Sequence, residues 1–317
     1  MVDIITFGEA MAVFVPTAPG PLRHVRQFEK HVAGAEFNLA IGASRLGLEA
    51  GWISRVGRDE FGEEIVRVLR GEGVDTRHVL FLNRPTGVYF KEYSALGEPR
   101  VSYYRAGSAA SELGPDDIDP GYIASAQALH VTGITPLLSE SCRQATRKAM
   151  DAAHQAGVTV VLDPNIRYKL IAPDNVPAVF RPLLEDSDLV LAGEGELRAI
   201  LQDEISPLER LEEAVLDLGP RLVVVKRGAE GAVARTAEER VEEGPYPVER
   251  VVDPIGAGDG FDAGFLAGWL RKWELRQCLR LGNLVGASAT GVHGDHEGYP
   301  SWEDALAMLE RHQDACR

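Results

Sequence analysis

The chain has 317 residues, 45% hydrophobic and 26% charged, with a formal net charge of −15. This length favours a single domain, placed here at 1–317, and the acidic balance argues against a nucleic-acid partner, because phosphate backbones are bound by clustered Lys and Arg. We expect no membrane partner either, since the longest apolar stretches are shorter than the roughly 20 residues that span a bilayer.

The amino-terminal segment predicts a buried strand in a cytoplasmic protein. An acidic residue precedes its short apolar run, and it has neither a basic region nor a cleavage-like site. The cysteines, Cys142, Cys278 and Cys316, lie far apart without CxxC spacing, so we expect inert thiols and neither a disulfide framework nor a zinc site.

The first half of the chain mixes two strand patterns. Residues 4–7 and 51–56 are typical of core strands, whereas 84–93 and 100–105 alternate apolar and polar residues. Alternation indicates a sheet with one face in water. We therefore predict a small antiparallel lid from about 12–32 and 84–108, over the strand ends of the main domain. Its exposed face would suit pairing with a second copy, so we expect a homo-oligomer.

The second half alternates apolar runs with amphipathic segments, which predicts an α/β fold. Residues 158–162, 189–192 and 222–225 are short apolar runs typical of strands covered on both faces. Amphipathic crossover segments between such strands indicate a mainly parallel sheet. Helices are predicted at about 35–46, 60–73, 139–156, 260–272, 276–290 and 302–312.

A glycine-rich turn at 253–265, with the sequence DPIGAGDGFDAGF, is the most informative segment. Small residues let a backbone approach an anion closely, and a following helix directs free N–H groups at that anion. Asp259 would repel a phosphate there, unless it accepts a proton from an attacking hydroxyl. The alternative is an acid that complements the helix dipole. The spacing alone leaves both interpretations open.

The turn resembles the carboxyl-terminal signature of the PfkB carbohydrate kinases. Residues 33–40 are similar to the amino-terminal signature, with Ala33 in place of its usual first glycine, and 163–167, 194–196 and 226–231 follow in the family's order. The resemblance implies a ribokinase-like three-layer α/β/α fold. It also implies ATP as phosphoryl donor, Asp259 as catalytic base, and an anion cradle at Gly256, Ala257 and Gly258.

The same resemblance suggests where nucleotide and metal bind. It places Lys226, Gly228 and Gly231 under the phosphates, although a glycine turn closing a strand is the alternative. Asn283 matches a position lining the adenine pocket, or is a helix-surface amide. Glu196 matches a residue linked to Mg²⁺ and would act through water, since Gly193 replaces the family's Asn. Some relatives also suggest a monovalent cation, K⁺, near Asp253.

The segments around the expected sugar site are similar to those of 2-keto-3-deoxygluconate kinases, a branch of the family. An arginine fork matches a carboxylate, so the resemblance implies a sugar acid as substrate, although two arginines alone are more often members of surface ion pairs. The expected sugar-binding residues are Gly34, Tyr89, Tyr103, Tyr104, Arg105, Ile134, Arg167 and Asp259. Because neighbouring strand residues point to opposite faces, one of Tyr103 and Tyr104 faces the sugar.

Two alternatives stay open at this level. One is a kinase of the same family that phosphorylates a neutral sugar such as fructose or ribose. The other is a non-catalytic protein that binds a sugar or a nucleotide, against which the intact Asp259 argues.

Overall fold

A long β-sheet forms the centre of the protein. The structure, a computed structural model, describes residues 2–93 and 100–315. Within these residues the sheet has nine strands. In chain order they are β1 (Val2–Phe7), β4 (Ala50–Gly57), β5 (Val79–Leu82), β8 (Ala126–Thr132), β9 (Thr159–Asp163), β10 (Leu189–Gly193), β11 (Leu222–Lys226), β12 (Ala232–Arg235) and β13 (Arg240–Glu243). Across the sheet their order is β13-β12-β11-β10-β9-β8-β1-β4-β5.

The sheet is parallel from β5 to β11, and β12 and β13 extend it as antiparallel strands at one edge. Both of its faces are buried. Val223 and Val225 belong to the hydrophobic core on one face, whereas Val224 belongs to the core on the other. This two-sided burial explains the continuous apolar runs in the sequence, and the mainly parallel sheet is confirmed.

Helices cover both faces of this sheet. In chain order they are α1 (Ala35–Arg45), α2 (Glu60–Gly71), α3 (Pro120–Ile123), α4 (Glu140–Ala156), α5 (Val176–Glu185), α6 (Glu194–Leu201), α7 (Leu208–Asp217), α8 (Ala257–Leu270), α9 (Leu275–Ala289) and α10 (Trp302–Ala315). Helices α1, α2, α8, α9 and α10 pack on one face, and α3 to α7 pack on the other. The three-layer α/β/α fold is therefore confirmed.

Helix α8 begins earlier than its sequence suggests. The pattern predicts a start at residue 260, but the helix starts at Ala257 with Gly256 as its N-cap. Gly256 has a φ of 89°, and a Cβ there would lie 2.0 Å from the carbonyl oxygen of Asp295. Glycine therefore permits the turn. As a result Asp259 lies in the first helical turn.

A second, smaller sheet contains β2 (Met11–Pro16), β3 (Phe28–Ala33), β6 (Val88–Glu92) and β7 (Arg100–Tyr104), in the order β3-β2-β6-β7. The lid was predicted from about 12–32 and 84–108, and residues 94–99 of that prediction lie outside the described residues. The small sheet is mixed and not antiparallel throughout as expected: β2 with β3 and β6 with β7 pair antiparallel, but β2 and β6 pair in parallel. Each follows a strand of the parallel main sheet, β1 or β5, so both enter the small sheet in the same direction.

The carboxyl ends of the parallel strands bring distant parts of the chain together. Glu9 follows β1, Asp163 ends β9 and Lys226 ends β11, all at the carboxyl-terminal end of the sheet.

Within residues 2–93 and 100–315, no helix has the length and apolar character needed to cross a bilayer. Cys142 and Cys278 are buried free thiols, and Cys316 lies outside the described residues.

Candidate active site

A cleft of about 410 Å³ lies at the carboxyl-terminal end of the main sheet, between the strand ends and the small sheet. It contains elements from the whole length of the chain, because parallel strands place their carboxyl ends on the same side. The following residues predicted from the sequence line it: Gly34, Tyr89, Tyr103, Arg105, Ile134, Arg167, Glu196, Lys226, Gly256, Gly258 and Asp259. The cleft thus joins most of the expected sugar-binding residues to the expected base.

A second cavity, of about 590 Å³, adjoins the cleft. Apolar side chains such as Val248, Val251 and Phe261 line much of it, as is usual for small-molecule sites. The predicted nucleotide residues that line it are Lys226, Gly228, Gly231, Ala257, Gly258 and Asn283. Lys226, Pro254 and Gly258 line both cavities, which therefore meet at the start of α8.

The start of α8 forms a cradle for an anion at this junction. Because Gly256 adopts a left-handed conformation, the chain turns directly into the helix. The amides of Gly258 and Asp259 fall among the first-turn N–H groups that have no intrahelical acceptor. Gly258 is exposed at the surface of both cavities. The positive end of the helix dipole and its free donors are thus directed at the place where the cavities meet.

Asp259 has the surroundings of a general base. Its side chain lies deep in the cleft, with only 9% of the residue exposed. Burial raises the pKa of Asp259 to about 7, against the opposing effect of a hydrogen bond from Asn38. The negative charge of Asp163 contributes to this increase, and the positive charge of Arg167 opposes it. A carboxylate whose pKa is near neutral accepts and releases protons readily at physiological pH.

Two asparagines that sequence reasoning did not select orient this carboxylate. Asn38 Nδ2, on α1, donates to Oδ2 of Asp259 at 2.7 Å. Asn165 Nδ2 lies 3.5 Å from Oδ1 of Asp259 and 3.2 Å from Oδ2 of Asp163. Asn165 has a φ of 41°, a conformation that asparagine tolerates better than most residues. Both residues lie inside segments that carried the family resemblance, and this was the signal available for finding them.

Lys226 is held by carboxylates at the junction of the two cavities. Its Nζ lies 3.0 and 3.1 Å from the carboxyl oxygens of Asp262 and 3.4 Å from Oδ1 of Asp163. Burial alone would lower the pKa of Lys226, but Asp163 and Asp262 raise it above its ordinary value. The ammonium therefore stays charged. Asp262, one helical turn after Asp259, was not identified from the sequence.

The two arginines expected at the sugar site differ in their surroundings. Arg105 Nε donates to Oε2 of the buried Glu9 at 2.6 Å, and Ser108 Oγ donates to Oε1 of Glu9 at 2.5 Å. Arg167 is exposed at the cleft and has no carboxylate partner within residues 2–93 and 100–315. The charge of Arg105 is thus largely balanced by Glu9, whereas the fork of Arg167 faces the cleft without a competing ion pair.

Among the predicted tyrosines, Tyr104 requires a correction. It follows Tyr103 on β7, so its side chain points to the opposite face of the small sheet, where the residue is 68% exposed. Tyr103 lines the cleft and stacks obliquely against Tyr89 at a centroid distance of 5.5 Å. The hydroxyl of Tyr89 donates to Oδ2 of Asp295 at 3.0 Å. Tyr103 is therefore the member of the pair that faces the cleft.

Glu196 lines the cleft but is occupied by backbone contacts. Its Oε2 accepts the N–H of Gly193 at 2.8 Å, and its Oε1 accepts the N–H of Ile166 at 2.7 Å. Within residues 2–93 and 100–315, no three His, Cys, Asp or Glu side chains form a metal-binding group. Because both carboxylate oxygens of Glu196 accept backbone N–H groups, its side chain fits an indirect contact, through water, with a phosphate-bound Mg²⁺ ion better than direct coordination.

Asp253, where a monovalent cation was expected, contacts a cation of the protein itself. Its Oδ2 accepts from Lys91 Nζ at 2.6 Å and from the hydroxyl of Tyr93 at 2.8 Å. Lys91 comes from β6 of the small sheet. The carboxylate therefore already has a positive partner, and nothing in the sequence patterns pointed to this residue.

The chain is similar to known proteins over nearly its whole length. The model of the pfkB family carbohydrate kinases matches residues 1–302. The chain is 39% identical over 314 residues to a 2-dehydro-3-deoxygluconokinase of Bacillus subtilis, covering 97% of this chain and 95% of the relative. It is 39% identical over 316 residues to a 2-dehydro-3-deoxygluconokinase of Thermoproteus tenax, covering 98% and 95%. A putative ribokinase II from E. coli, solved with ATP and Mg²⁺, superimposes with a TM-score of 0.91 at 28% identity, covering 98% of this chain and 100% of that one.

Proposed function

The chain belongs to the pfkB family of carbohydrate kinases, and we infer that it is an ATP-dependent kinase that phosphorylates 2-dehydro-3-deoxygluconate to its 6-phosphate. Two curated relatives that are each 39% identical to the chain carry that activity in their names. The observation that carries the assignment is the position of Asp259, a buried carboxylate with a pKa of about 7 beside the junction of two cavities. A base at that junction can meet a sugar hydroxyl from one side and a phosphoryl group from the other.

The reaction follows from this arrangement. Asp259 takes the proton of the primary hydroxyl of the sugar. The hydroxyl oxygen attacks the γ-phosphorus of ATP, and the bond from that phosphorus to the bridging oxygen of ADP breaks. Charge on the transferred phosphoryl group is stabilised by the amides of Gly258 and Asp259 at the start of α8, whereas the amide of Ala257 already donates to the carbonyl of Pro254. The ammonium of Lys226 adds positive charge at the same junction. Mg²⁺ supplies further charge neutralisation on the phosphates when it is bound with ATP.

The cleft supports a sugar acid as the acceptor. Arg167 faces it without a competing carboxylate, and a guanidinium binds a carboxylate through two parallel hydrogen bonds. Arg105 contributes a second guanidinium, positioned by Glu9. Gly34, Tyr89, Tyr103 and Ile134 complete the proposed sugar site. A Cβ at Gly34 would lie 2.2 Å from the carbonyl oxygen of Glu9, which explains the glycine there.

The second cavity is the proposed nucleotide site. Gly228 and Gly231 have positive φ angles of 55° and 86°, which glycine adopts more readily than other residues, and a Cβ at Gly231 would lie 2.1 Å from the carbonyl oxygen of Glu243. Asn283 lines the far part of the cavity and donates through Nδ2 to the carbonyl of Gly244 at 2.8 Å. That contact fixes its orientation beside the apolar residues proposed to receive the adenine.

We also propose that the small sheet acts as a lid and mediates a homo-oligomer. Its outer face carries aromatic side chains in mutual contact: Phe14 and Phe90 stack at 5.1 Å, and Tyr104 packs edge-on against Phe90 at 5.7 Å. A partly exposed aromatic cluster of this kind suits an isologous contact with a second copy. Light scattering on the purified protein tests this, with Tyr104→Lys as the disrupting variant. The proposed compartment is the cytoplasm.

The substrate assignment is tested by measuring ADP formation with ATP and Mg²⁺ across a panel of acceptors. The panel contains 2-dehydro-3-deoxygluconate, gluconate, fructose, ribose and adenosine. Selective turnover of the keto-deoxy acid, with phosphorus NMR showing a new primary phosphate ester, supports the proposal. Preference for fructose or ribose would contradict the acid assignment and leave the kinase activity in place. No turnover of any acceptor would contradict both.

A further inference from the structure

Lys91 is a fully buried lysine in the small sheet. Its side chain is 0% exposed, although lysine is among the residues least often buried. Lys91 lies two positions after Tyr89 and two before Tyr93, so the three side chains point from the same face towards the start of α8. Burial of an unpaired ammonium costs many kcal/mol, so such a residue needs compensating charge.

That charge comes from two buried carboxylates. Lys91 Nζ lies 2.6 Å from Oδ2 of Asp253 and 2.6 Å from Oδ1 of Asp295. The hydroxyls of Tyr93 and Tyr89 donate to the same two carboxylates. Burial alone would lower the pKa of Lys91, but Asp295 and Asp253 raise it above its usual value, so the ammonium remains charged.

Both carboxylates belong to segments that shape the anion cradle. Oδ1 of Asp253 accepts the N–H of Ile255 at 3.1 Å and so fixes the turn that leads into Gly256. The backbone of Asp295 packs on Gly256 so closely that a Cβ there would meet its carbonyl oxygen. Through Asp253 and Asp295, Lys91 therefore connects β6 of the small sheet to the two segments that shape the turn before α8. The amides of Gly258 and Asp259 follow directly after that turn.

A monovalent cation does not fit beside Asp253 as the resemblance implied. The ammonium already lies 2.6 Å from each carboxylate, and a second cation binding those oxygens would be strongly repelled at such short range. We propose that Lys91 is the resident cation of this turn: it supplies the charge that a bound monovalent ion would provide, so the enzyme works without one. The inference rests on the proposed kinase function.

Lys91 is thus a positioning residue, which acts on the phosphoryl group through Asp253 and Gly256. Removing its charge leaves Asp253 and Asp295 as neighbouring buried carboxylates, and an added cation of suitable size then gains a favourable site. Lys91→Met keeps an unbranched apolar side chain, one atom shorter than that of lysine, and removes the charge. Lys30→Met is the matched control, because Lys30 is also a lysine of the small sheet but is partly exposed and pairs with Glu64 at the surface.

The experiment compares kinase activity in tetramethylammonium, potassium and ammonium chloride at constant ionic strength. The wild type and Lys30→Met should change by less than about twofold among the salts. Lys91→Met should lose roughly tenfold or more of kcat in tetramethylammonium, because a displaced cradle misaligns the phosphoryl group. It should regain much of that loss in potassium or ammonium. Activation of the wild type by potassium, or a salt-independent Lys91→Met with full activity, would overturn the proposal.

Thermal unfolding without substrates supplies a readout independent of turnover. Potassium and tetramethylammonium should give the wild type the same melting temperature, whereas potassium should raise that of Lys91→Met. This arm remains decisive if no acceptor is phosphorylated, so failure of the proposed function is distinguishable from failure of this inference. If Lys91→Met does not fold, the wild type decides: potassium-dependent stabilisation contradicts the resident cation, and its absence supports it.

Discussion

Asn38 Nδ2 donates a hydrogen bond of 2.7 Å to Oδ2 of Asp259. It joins α1 to the first turn of α8, across 221 positions of the chain. The bond favours the ionised carboxylate, against the larger effect of burial, which raises its pKa. The balance leaves the pKa of Asp259 at about 7, and the hydrogen bond fixes one of its carboxyl oxygens.

The activity should therefore depend on pH in a defined direction. Asp259 must be ionised to accept a proton, so kcat/KM for the sugar acid should rise with pH and level off above an apparent pKa of about 7. The measurement is a pH profile of kcat/KM at saturating ATP and Mg²⁺. A profile that is flat through pH 7 contradicts this role for the carboxylate.

Replacing Asn38 should move the same profile. Asn38→Ala removes a donor to the charged form, so the pKa of Asp259 should increase and the acidic limb should shift to higher pH. We also expect kcat at the plateau to fall roughly tenfold, since the carboxylate loses its orientation. Asn83→Ala, at an exposed loop position, serves as the control and should leave the profile in place. An unshifted limb in Asn38→Ala would show that this bond does not tune the base.

The raised pKa of Asp259 also predicts an effect on stability. A carboxyl with a higher pKa in the folded state contributes stability below its unfolded value of 3.8, and this is lost as pH rises through about 7. At pH 8, Asp259→Asn should therefore be more stable than the wild type by on the order of a few kcal/mol. Urea unfolding at pH 8 measures this, with the exposed Asp174→Asn as control. Equal or lower stability of Asp259→Asn would contradict a buried, destabilising charge.

The fold could largely be predicted from the sequence, because its signals are local. Continuous apolar runs such as 222–225 identify buried parallel strands, and the glycine turn identifies the start of α8 to within a few residues. The parallel pairing of β2 with β6 could not be predicted in this way. Alternation shows which face of a strand is buried, but it carries no information about the direction of its neighbour.

The sequence predicted the site residues that belong to a local motif. It did not predict the contacts that these residues make with distant parts of the chain. The location of Asp259 and Gly258 follows from the turn itself. The ion pairs of Arg105 with Glu9 and of Lys91 with Asp253 join residues more than 90 positions apart, and no local pattern encodes such a contact. Tyr104 was uncertain for a simpler reason: alternation separates it from Tyr103 without showing which of the two faces inward.

Arg167 should discriminate acids from neutral sugars. Arg167→Ala should lower kcat/KM for the keto-deoxy acid by about tenfold to a hundredfold, the usual value of a charged hydrogen bond, while weak turnover of fructose or ribose changes little. Arg147→Ala, which removes an exposed surface arginine paired with Asp186, is the matched control. Equal losses on acidic and neutral acceptors would contradict a carboxylate contact.

Arg105→Ala should combine a kinetic and a structural effect. It raises the KM for the acid, and it leaves the carboxylate of Glu9 buried without its cationic partner, so the melting temperature should also fall. Glu9→Gln in the same background should recover stability without recovering the KM. If the double variant regains the wild-type KM, Arg105 acts only as a partner for Glu9.

The two adjacent tyrosines should behave differently. Tyr103→Ala should raise the KM for the acid by about tenfold, because it removes a wall of the cleft. Tyr104→Ala should leave both KM values unchanged, since its side chain lies on the outer face. Steady-state kinetics of the two variants, made in parallel, provide the check. A larger effect of Tyr104 on the KM would contradict the observed orientation of β7.

The most direct test of the proposed mechanism is turnover of 2-dehydro-3-deoxygluconate by Asp259→Asn, with the wild type measured beside it. The substitution keeps the shape of the side chain but removes the proton acceptor. We predict that kcat falls by roughly 10² to 10⁴ while the KM values for ATP and for the acid stay within about twofold. A variant that keeps kcat within about tenfold of the wild type would contradict the assignment of Asp259 as the base.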